Sequence, residues 1–270
     1  MPEDEADRDR LDAAYAALGE GDPQRALELI DDLLAELDDD AELQLLAGLA
    51  LLDLDRAILA VDHLRRSVEL DPDAADARAH LADALFRACR FEEAEAEARR
   101  ATDADPGVPL AHVVVGLSLE RQGRLAKADA ALARAAELDP ESFAVPVRMT
   151  EAEFERHVAA AIDALPDPFR EALDAVAISV EPTPPAELLL DEEPPLDPGL
   201  LGLFAGRPLT EQSSFDSGEL PPRIYLFQRN LERLAETPDR LIDEIGVTLR
   251  HELGHYLGMD EAQIDAAGHA

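Results

Sequence analysis

Two histidines and a glutamate near the end of the sequence have the spacing of a metal site. His251 and His255 are four residues apart, so on a helix both rings lie on one face and can bind one ion. Neutral imidazole is a common ligand of Zn²⁺. Glu252 follows the first histidine directly, where its carboxylate can act as general base on a metal-activated water. The pattern predicts a zinc site with hydrolytic chemistry.

A zinc site of this kind needs a third protein ligand, because two histidines do not hold the ion alone. Gly258 allows a sharp reversal of the chain after the helix, which would return the next residues toward the metal. A carboxylate is a sound third ligand for zinc. The candidates beyond the glycine are Asp260, Glu261, Asp265 and His269.

The histidines require a straight helix with one buried face. Thr237 and Pro238 have the residue types of a helix N-cap and first turn, and Gly258 has that of a C-terminal cap. Between them an apolar stripe repeats with the helical period. Its members are Leu241, Ile245, Leu249 and Leu253.

Shorter elements precede this helix. Residues 151–164 are predicted to form an amphipathic helix, followed by a second at about 168–176. Residues 177–180 and 223–227 are predicted strands. The segment between them, 181–199, is rich in proline and acidic residues, which predicts an irregular loop.

The second predicted strand has two interpretations. At the edge of a sheet near the metal, residues 224–227 would pair with an extended substrate through backbone hydrogen bonds. Inside a sheet, the same strand would be covered on both edges. Tyr225 and Tyr256 are the candidate stabilisers of an oxyanion.

The order of these parts resembles a known family. It runs FERHVAAAIDALPDPFREALDAVAISVE, LLGLFAGRPLTEQSS, LPPRIYLFQRNLER and then the HExxHxxGxxE helix. Residues 149–266 thereby resemble the small bacterial zincin-like metallopeptidases, a minimal zincin. The resemblance implies a small α/β (α+β) domain that hydrolyses peptide bonds. It also implies Zn²⁺ bound by His251, His255 and Glu261, with Glu252 as the catalytic base.

The first half of the chain contains a repeat. Pro72, Pro106 and Pro140 are each 34 residues apart, and each ends a similar phrase. Small and aliphatic residues recur in phase with them: Gly48, Ala82 and Gly116; Leu51, Leu85 and Leu119; Ala60, Ala94 and Ala128; Ser67, Ala101 and Ala135. Small residues let two antiparallel helices approach, and a proline ends each unit.

This period resembles the tetratricopeptide repeat. The resemblance implies an N-terminal all-α solenoid with a concave groove for a protein partner. A degenerate first unit has Asp38 in place of the proline. We therefore predict a repeat domain of about four units at 5–145 and a zincin-like domain at 146–270 that includes the loop 181–199.

Charge and composition restrict the partners. The formal net charge is −36, which disfavours nucleic acid and anionic membranes and favours basic partners. Cys89 is the single cysteine, so no internal disulfide can form, and we expect it to be an inert thiol inside a repeat helix. The charged start of the chain lacks an apolar stretch, so a cytoplasmic protein is expected.

Three functions fit these features. The first is a zinc metallopeptidase whose repeats recruit a protein substrate or partner. The alternative is a non-enzymatic repeat scaffold with a structural or vestigial metal site. Glu252 favours the peptidase, because a structural site has no use for a base beside its first ligand. A third possibility is a latent peptidase with the loop 181–199 over its cleft.

Overall fold

The first half of the chain folds into helical hairpins. The computed structural model describes residues 5–37, 39–167, 169–211, 222–260 and 262–264. Among these residues, eight helices of 13–15 residues form four antiparallel pairs. They are α1 (Glu5–Gly19), α2 (Pro23–Glu36), α3 (Ala41–Asp53), α4 (Ala57–Leu70), α5 (Ala75–Arg87), α6 (Phe91–Ala104), α7 (Pro109–Arg121) and α8 (Leu125–Leu138).

The residues that recur every 34 positions lie where paired helices meet. Ala60, Ala94 and Ala128 are completely buried. A Cβ on Gly48 would lie 2.4 Å from Cγ of Leu64, so no larger residue fits there unless the neighbouring side chain moves. The small residues thus allow each pair of helices to pack closely. The observed helical hairpins confirm the predicted all-α repeat fold.

The turn inside each hairpin also repeats. The helix ends in a left-handed residue, and the next amide reaches back five residues, as Arg56 N does to Leu51 O at 2.8 Å. Cys89 is one of these turn residues, so its predicted position inside a helix is wrong. The four left-handed residues, 34 apart, are Gly21, Asp55, Cys89 and Gly123, with φ of 77°, 56°, 58° and 68°.

The degenerate first repeat has the same hairpin turn as the others, with Gly21 at the left-handed position. Its second helix differs in having a side-chain cap, because Asp22 accepts a hydrogen bond from Arg25 N at 3.0 Å. Ala26 and Ile30 of that helix are fully buried. Asp38, which replaces the proline in the predicted pattern, lies outside the described residues.

The second half combines helices with a small sheet. Its helices are α9 (Glu151–Asp163), α10 (Phe169–Ala172), α11 (Ala186–Leu189), α12 (Gln228–Leu234) and α13 (Pro238–Leu257). Its strands are β1 (Ala177–Glu181), β2 (Gly202–Ala205) and β3 (Arg223–Phe227). The predicted α+β class is confirmed.

The sheet has the order β1-β3-β2. Strand β3 pairs in parallel with β1 and antiparallel with β2. Residues 224–227 therefore lie in the central strand, and their predicted use as a substrate-binding edge is wrong. The internal alternative holds, and β2 is an edge strand among the described residues.

Helix α13 packs its apolar stripe into the core of this half. Leu241, Ile245, Leu249 and Leu253 are all fully buried, as predicted. They share one hydrophobic cluster with Phe154 of α9 and with Ile224 and Leu226 of β3.

A buried carboxylate ties the start of this half to α12. Glu232 is 0% exposed. Its Oε2 atom lies 2.8 Å from Arg148 Nη1, and its Oε1 accepts hydrogen bonds from Met149 N and from Gln228 Nε2. The charge is thus compensated by an ion pair and hydrogen bonds, as a buried carboxylate requires.

The chain divides into two compact units. One comprises Met1–Phe143 together with Leu190–Asp197, and the other comprises Ala144–Leu189 with Pro198–Ala270. Part of the proline-rich loop, predicted as belonging to the second domain, is thus grouped with the repeats. None of the helices in the described ranges is long and apolar enough to span a bilayer.

Candidate metal centre

Helix α13 fixes the direction of the two histidines. Its N-cap is Thr237, whose Oγ1 accepts a hydrogen bond from Arg240 N at 3.2 Å. It ends at Gly258, which has φ of 76° in the left-handed region. The reversal is closed by Met259 N, which donates to Gly254 O at 3.0 Å. Both caps agree with the sequence prediction.

The structure brings the two predicted histidine ligands together. Nε2 of His255 lies 3.0 Å from Nε2 of His251, and the two rings are nearly perpendicular at 85°. Two nitrogens bound to one tetrahedral zinc at 2.0–2.1 Å would be about 3.3 Å apart. The imidazole pair therefore fits a shared zinc ion with an adjustment of a few tenths of an ångström.

Glu252 lies beside the histidines and is held by β2. Its side chain is largely buried, and its Oε2 accepts a hydrogen bond from Phe204 N at 2.7 Å. A carboxylate that accepts a backbone N–H is fixed in direction. The sequence reasoning missed this contact, because the two residues are 48 positions apart.

A glycine lets β2 approach the helix this closely. A Cβ on Gly202 would lie 2.7 Å from Thr248 Cγ2 and 3.0 Å from Glu252 Cγ. Any side chain there would push the carboxylate away. The signal in the sequence was the LLGLFAG stretch, where a glycine interrupts an apolar run.

The three residues open onto one cleft. Its volume is about 560 Å³, enough for a few side chains of a peptide. Its walls come from β2 and the residues on either side of it, from the two histidines and Glu252 of α13, and from the turn at the end of that helix. They are Leu200, Gly202, Leu203, Phe204, Gly206, Pro208, Thr210, His251, Glu252, His255, Gly258 and Met259.

Asp260 is engaged elsewhere. Its Oδ1 accepts a hydrogen bond from Gln263 N at 2.9 Å, and its own N–H donates to Gln263 Oε1 at 2.9 Å. This reciprocal pair caps the short turn that follows. The arrangement disfavours Asp260 as the third ligand, because binding a metal would break the cap.

The other candidates for the third ligand are Glu261, Asp265 and His269, and they lie outside the described residues. Within the described part of the chain, no three potential ligands cluster as a metal site. The described tail does return to the helix, since a Cβ on Gly254 would lie 2.6 Å from Ile264 Cγ1. The reversal that a ligand after Gly258 requires is therefore present.

The two tyrosines considered for the oxyanion do not line the cleft. Tyr256 is 1% exposed, and its ring packs 5.7 Å from that of Phe204. Tyr225 stacks on Phe227, with ring centroids 6.2 Å apart. Neither is among the described residues that form the cleft walls.

The repeats have a concave cavity of their own. It measures about 450 Å³ and is lined by residues of α3, α5 and α7. Burial raises the pKa of Asp83, whose carboxylate lies 2.9 Å from Arg87 Nε, and burial lowers the pKa of His80. Further carboxylates on its wall are Asp53, Asp76 and Asp139.

Comparison with known proteins identifies both halves. The family described as zincin-like metallopeptidase matches residues 173–269. Families described as tetratricopeptide repeat match residues 11–75, 51–114 and 111–142. The chain therefore carries a zincin-like metallopeptidase domain preceded by tetratricopeptide repeats. Among curated proteins, none matches this chain.

Several solved structures are similar to part of the chain. A crystal structure of MamA is 23% identical, with a TM-score of 0.42, over 47% of this chain and 74% of that one. MamA from Desulfovibrio magneticus RS-1 is 21% identical, with a TM-score of 0.45, over 58% and 83%. YrrB, described as a tetratricopeptide protein with an unusual peptide-binding site, is 23% identical, with a TM-score of 0.44, over 50% and 70%.

Proposed function

We propose that the chain is a zinc-dependent metallopeptidase that hydrolyses peptide bonds. In this proposal Zn²⁺ is bound by His251, His255 and Glu261, and Glu252 is the general base. The observation that carries the proposal is the 3.0 Å separation of the two Nε2 atoms in the cleft where the Glu252 carboxylate also lies. The zincin-like family match supports it.

The residues of the cleft supply the steps of hydrolysis. Zinc, when bound, supplies a Lewis acid that polarises the substrate carbonyl and makes water more acidic. Glu252 accepts a proton from the attacking water and passes it to the nitrogen of the leaving amine as the C–N bond breaks. The hydrogen bond from Phe204 N keeps the carboxylate directed toward the cleft during both transfers.

An extended substrate has a place beside β2. This strand pairs with β3 along one edge, and Leu203 and Phe204 line the cleft. Phe204 N already donates to Glu252, and the other backbone groups on the free edge of the strand can pair with a peptide. We propose β2, in place of β3, as the strand along which substrate binds.

In this proposal the chain has two functional domains, residues 5–145 and 146–270. The first, the repeat domain, would recruit protein partners or substrates. The carboxylates that line the concave cavity would favour basic segments. Tetratricopeptide repeats typically present such a concave surface for binding.

The test combines zinc content with peptide cleavage on purified full-length protein. We expect His255→Ala and Glu261→Ala to lose zinc and cleavage together. Glu252→Gln is expected to keep zinc and to lower cleavage about 10²–10⁴-fold, since it removes a general base. The matched control is His157→Ala, a histidine of α9 in the same half. Zinc retained by His255→Ala, or cleavage retained by Glu252→Gln, would contradict the proposal.

One observation favours a structural role for the metal instead. Glu252 is largely buried, and its carboxylate accepts a hydrogen bond from the backbone of β2. A residue with a purely structural role can make the same contact. In that case wild type would bind zinc without cleaving any peptide, and Glu252→Gln would lower stability alone. The same two measurements therefore separate the peptidase from the scaffold.

A further inference from the structure

The repeat unit includes eight residues from far downstream in the sequence. Leu190–Asp197, with the sequence LDEEPPLD, is grouped with Met1–Phe143. It forms neither helix nor strand. Its backbone is contacted by Cys89, whose Sγ donates a hydrogen bond to Leu196 O at 3.5 Å. An extended chain is thus seated at the turn between α5 and α6.

The segment covers an apolar part of the repeat surface incompletely. Between the two lies a cavity of about 620 Å³. Ile58 and Leu59, at the start of α4, line it and remain 51% and 53% exposed. Pro194 and Pro195 line it from the segment. The apolar surface therefore extends beyond what the segment buries, and such exposed patches mark interaction sites.

Arginines recur along the same side of the repeats. Their positions follow from the 34-residue period, because each lies at a helix end beside a hairpin turn. Arg56, Arg90 and Arg124 are the N-caps of α4, α6 and α8, and Arg87 and Arg121 end α5 and α7. We call this side the turn edge: Asp55–Leu59, Arg87–Arg90 and Arg121–Arg124.

The segment and the turn edge are complementary in charge. The segment has four carboxylates in eight residues, whereas the turn edge has five arginines and one carboxylate, although the chain as a whole is strongly acidic. Asp197 lines the cavity together with Arg56 and Arg87. Cys89, whose Sγ contacts the neighbouring Leu196 O, has its pKa raised to about 11 by burial; the charge of Arg121 opposes this rise and that of Asp197 adds to it. Complementary charge of this kind gives binding its specificity.

The chain on both sides of the segment is anchored by hydrogen bonds within the second unit. Asn230 Nδ2 donates to Pro198 O at 2.9 Å and to Leu200 O at 2.5 Å. On the other side, Arg229 N donates to Pro182 O at 2.9 Å. The residues between are therefore kept at a high local concentration near their binding surface.

We propose that the turn edge is a recognition surface for extended acidic peptides with adjacent prolines, and that Leu190–Asp197 is its internal, displaceable ligand. The surface is separate from the concave cavity of α3, α5 and α7, although Arg87 borders both. The external partner is a protein segment with carboxylates, then Pro-Pro, then an aliphatic residue. Such a partner would compete with the internal segment.

The first test is binding of a labelled peptide of residues 190–198 to the full chain. The first variant, called the segment variant, weakens the internal ligand without changing its length. It combines four substitutions: Pro194→Ser, Pro195→Ser, Leu196→Gly and Asp197→Ser. We expect this variant to bind the peptide at least about tenfold more tightly than wild type, because the internal competitor at millimolar effective concentration is removed. Asp197→Lys alone, in an otherwise intact chain, is the second variant and should give a smaller gain.

Surface substitutions in the segment variant locate the peptide. Arg56→Glu should weaken binding about fivefold, since it reverses an exposed charge beside the acidic peptide. Ile58→Ser should weaken binding through the apolar contact. The matched control is Arg134→Glu, an exposed arginine of α8 away from the turn edge, which should leave binding unchanged.

Cys89 gives an independent readout because it is the single cysteine. Alkylation by iodoacetamide should be slow in wild type, faster in the segment variant, and slow again when the peptide is added. None of these readouts involves cleavage, so they do not depend on the metal centre.

Three results would overturn the proposal. The first is a folded segment variant, checked by its helical circular dichroism, that binds no peptide. The second is equal binding of a scrambled peptide, or of one with Asn and Gln in place of the acids. The third is self-association of the segment variant without peptide, which would assign the turn edge to a second copy of the chain.

Discussion

At the scale of single residues, the candidate centre depends on how Glu252 is held. Its carboxylate is fixed between its own helix and the amide of Phe204. That contact exists because Gly202 leaves room for the strand. A residue without a side chain therefore governs the direction of the proposed base.

The substitution Gly202→Ala tests this dependence. We expect zinc content to be unchanged and cleavage to fall about 10²-fold, because a shift of the base by about 1 Å is costly. The control is Gly246→Ala in α13, where a Cβ would meet nothing closer than 3.4 Å. Loss of zinc in Gly202→Ala, or full cleavage, would contradict the expectation.

The buried carboxylate of Glu232 is a second residue whose partners decide its effect. Glu232→Ala removes the carboxylate to which Arg148 and the amide of Met149 donate. We expect it to lower the free energy of unfolding by about 3–5 kcal/mol, as for a broken buried pair. Urea denaturation measures the change.

The control for that measurement is Glu236→Ala, an exposed glutamate just after α12. Its expected effect is within about 0.5 kcal/mol. If the two variants were equally stable, the network around Glu232 would have no energetic importance.

At the scale of elements, the hairpin turns carry local strain. Asp55 adopts φ of 56°, a conformation that favours glycine. Asp55→Gly should therefore stabilise the protein by about 1 kcal/mol. Asp53→Gly, two residues earlier at the exposed end of α3, should destabilise it by up to about 1 kcal/mol. Thermal unfolding of both variants checks the sign, and the same sign for both would refute this account.

The elements that could be predicted are those with local causes. The 34-residue period fixed the helices because each small residue packs within its own hairpin. The caps of α13 at Thr237 and Gly258 were readable for the same reason. The turn position of Cys89 was missed, although it lies 34 residues before Gly123, because a cysteine is a rare residue in the left-handed region.

The order of the sheet could not be predicted from local patterns. Strand β2 has four residues, and its partner β3 begins 18 residues after it ends. Whether β3 is central or at an edge depends on that pairing, and nothing within residues 223–227 encodes it. The contact of Phe204 with Glu252 follows from the same long-range pairing.

At the scale of the whole molecule, net charge is the dominant feature. The chain has 60 acidic and 24 basic residues, and the repulsion between the excess negative charges lowers the stability of the folded state. Raising sodium chloride from about 0.01 M to 0.15 M shortens the screening length from about 30 Å to 8 Å. We expect the unfolding temperature to rise over this range.

A choline chloride series of equal ionic strength is the control for that experiment. It should give the same rise, because screening depends on ionic strength and not on the cation. An effect seen with sodium alone would indicate specific ion binding instead.

The equal spacing of the left-handed turn residues has a consequence for how the array can change in length. Excising residues 56–89 would join Asp55 directly to Arg90 and recreate the same junction between one helix and the next. Every remaining helix would keep its full length and its neighbour-facing side chains. The repeat half is thus modular in steps of one hairpin, and its length can change by whole repeats without a new turn.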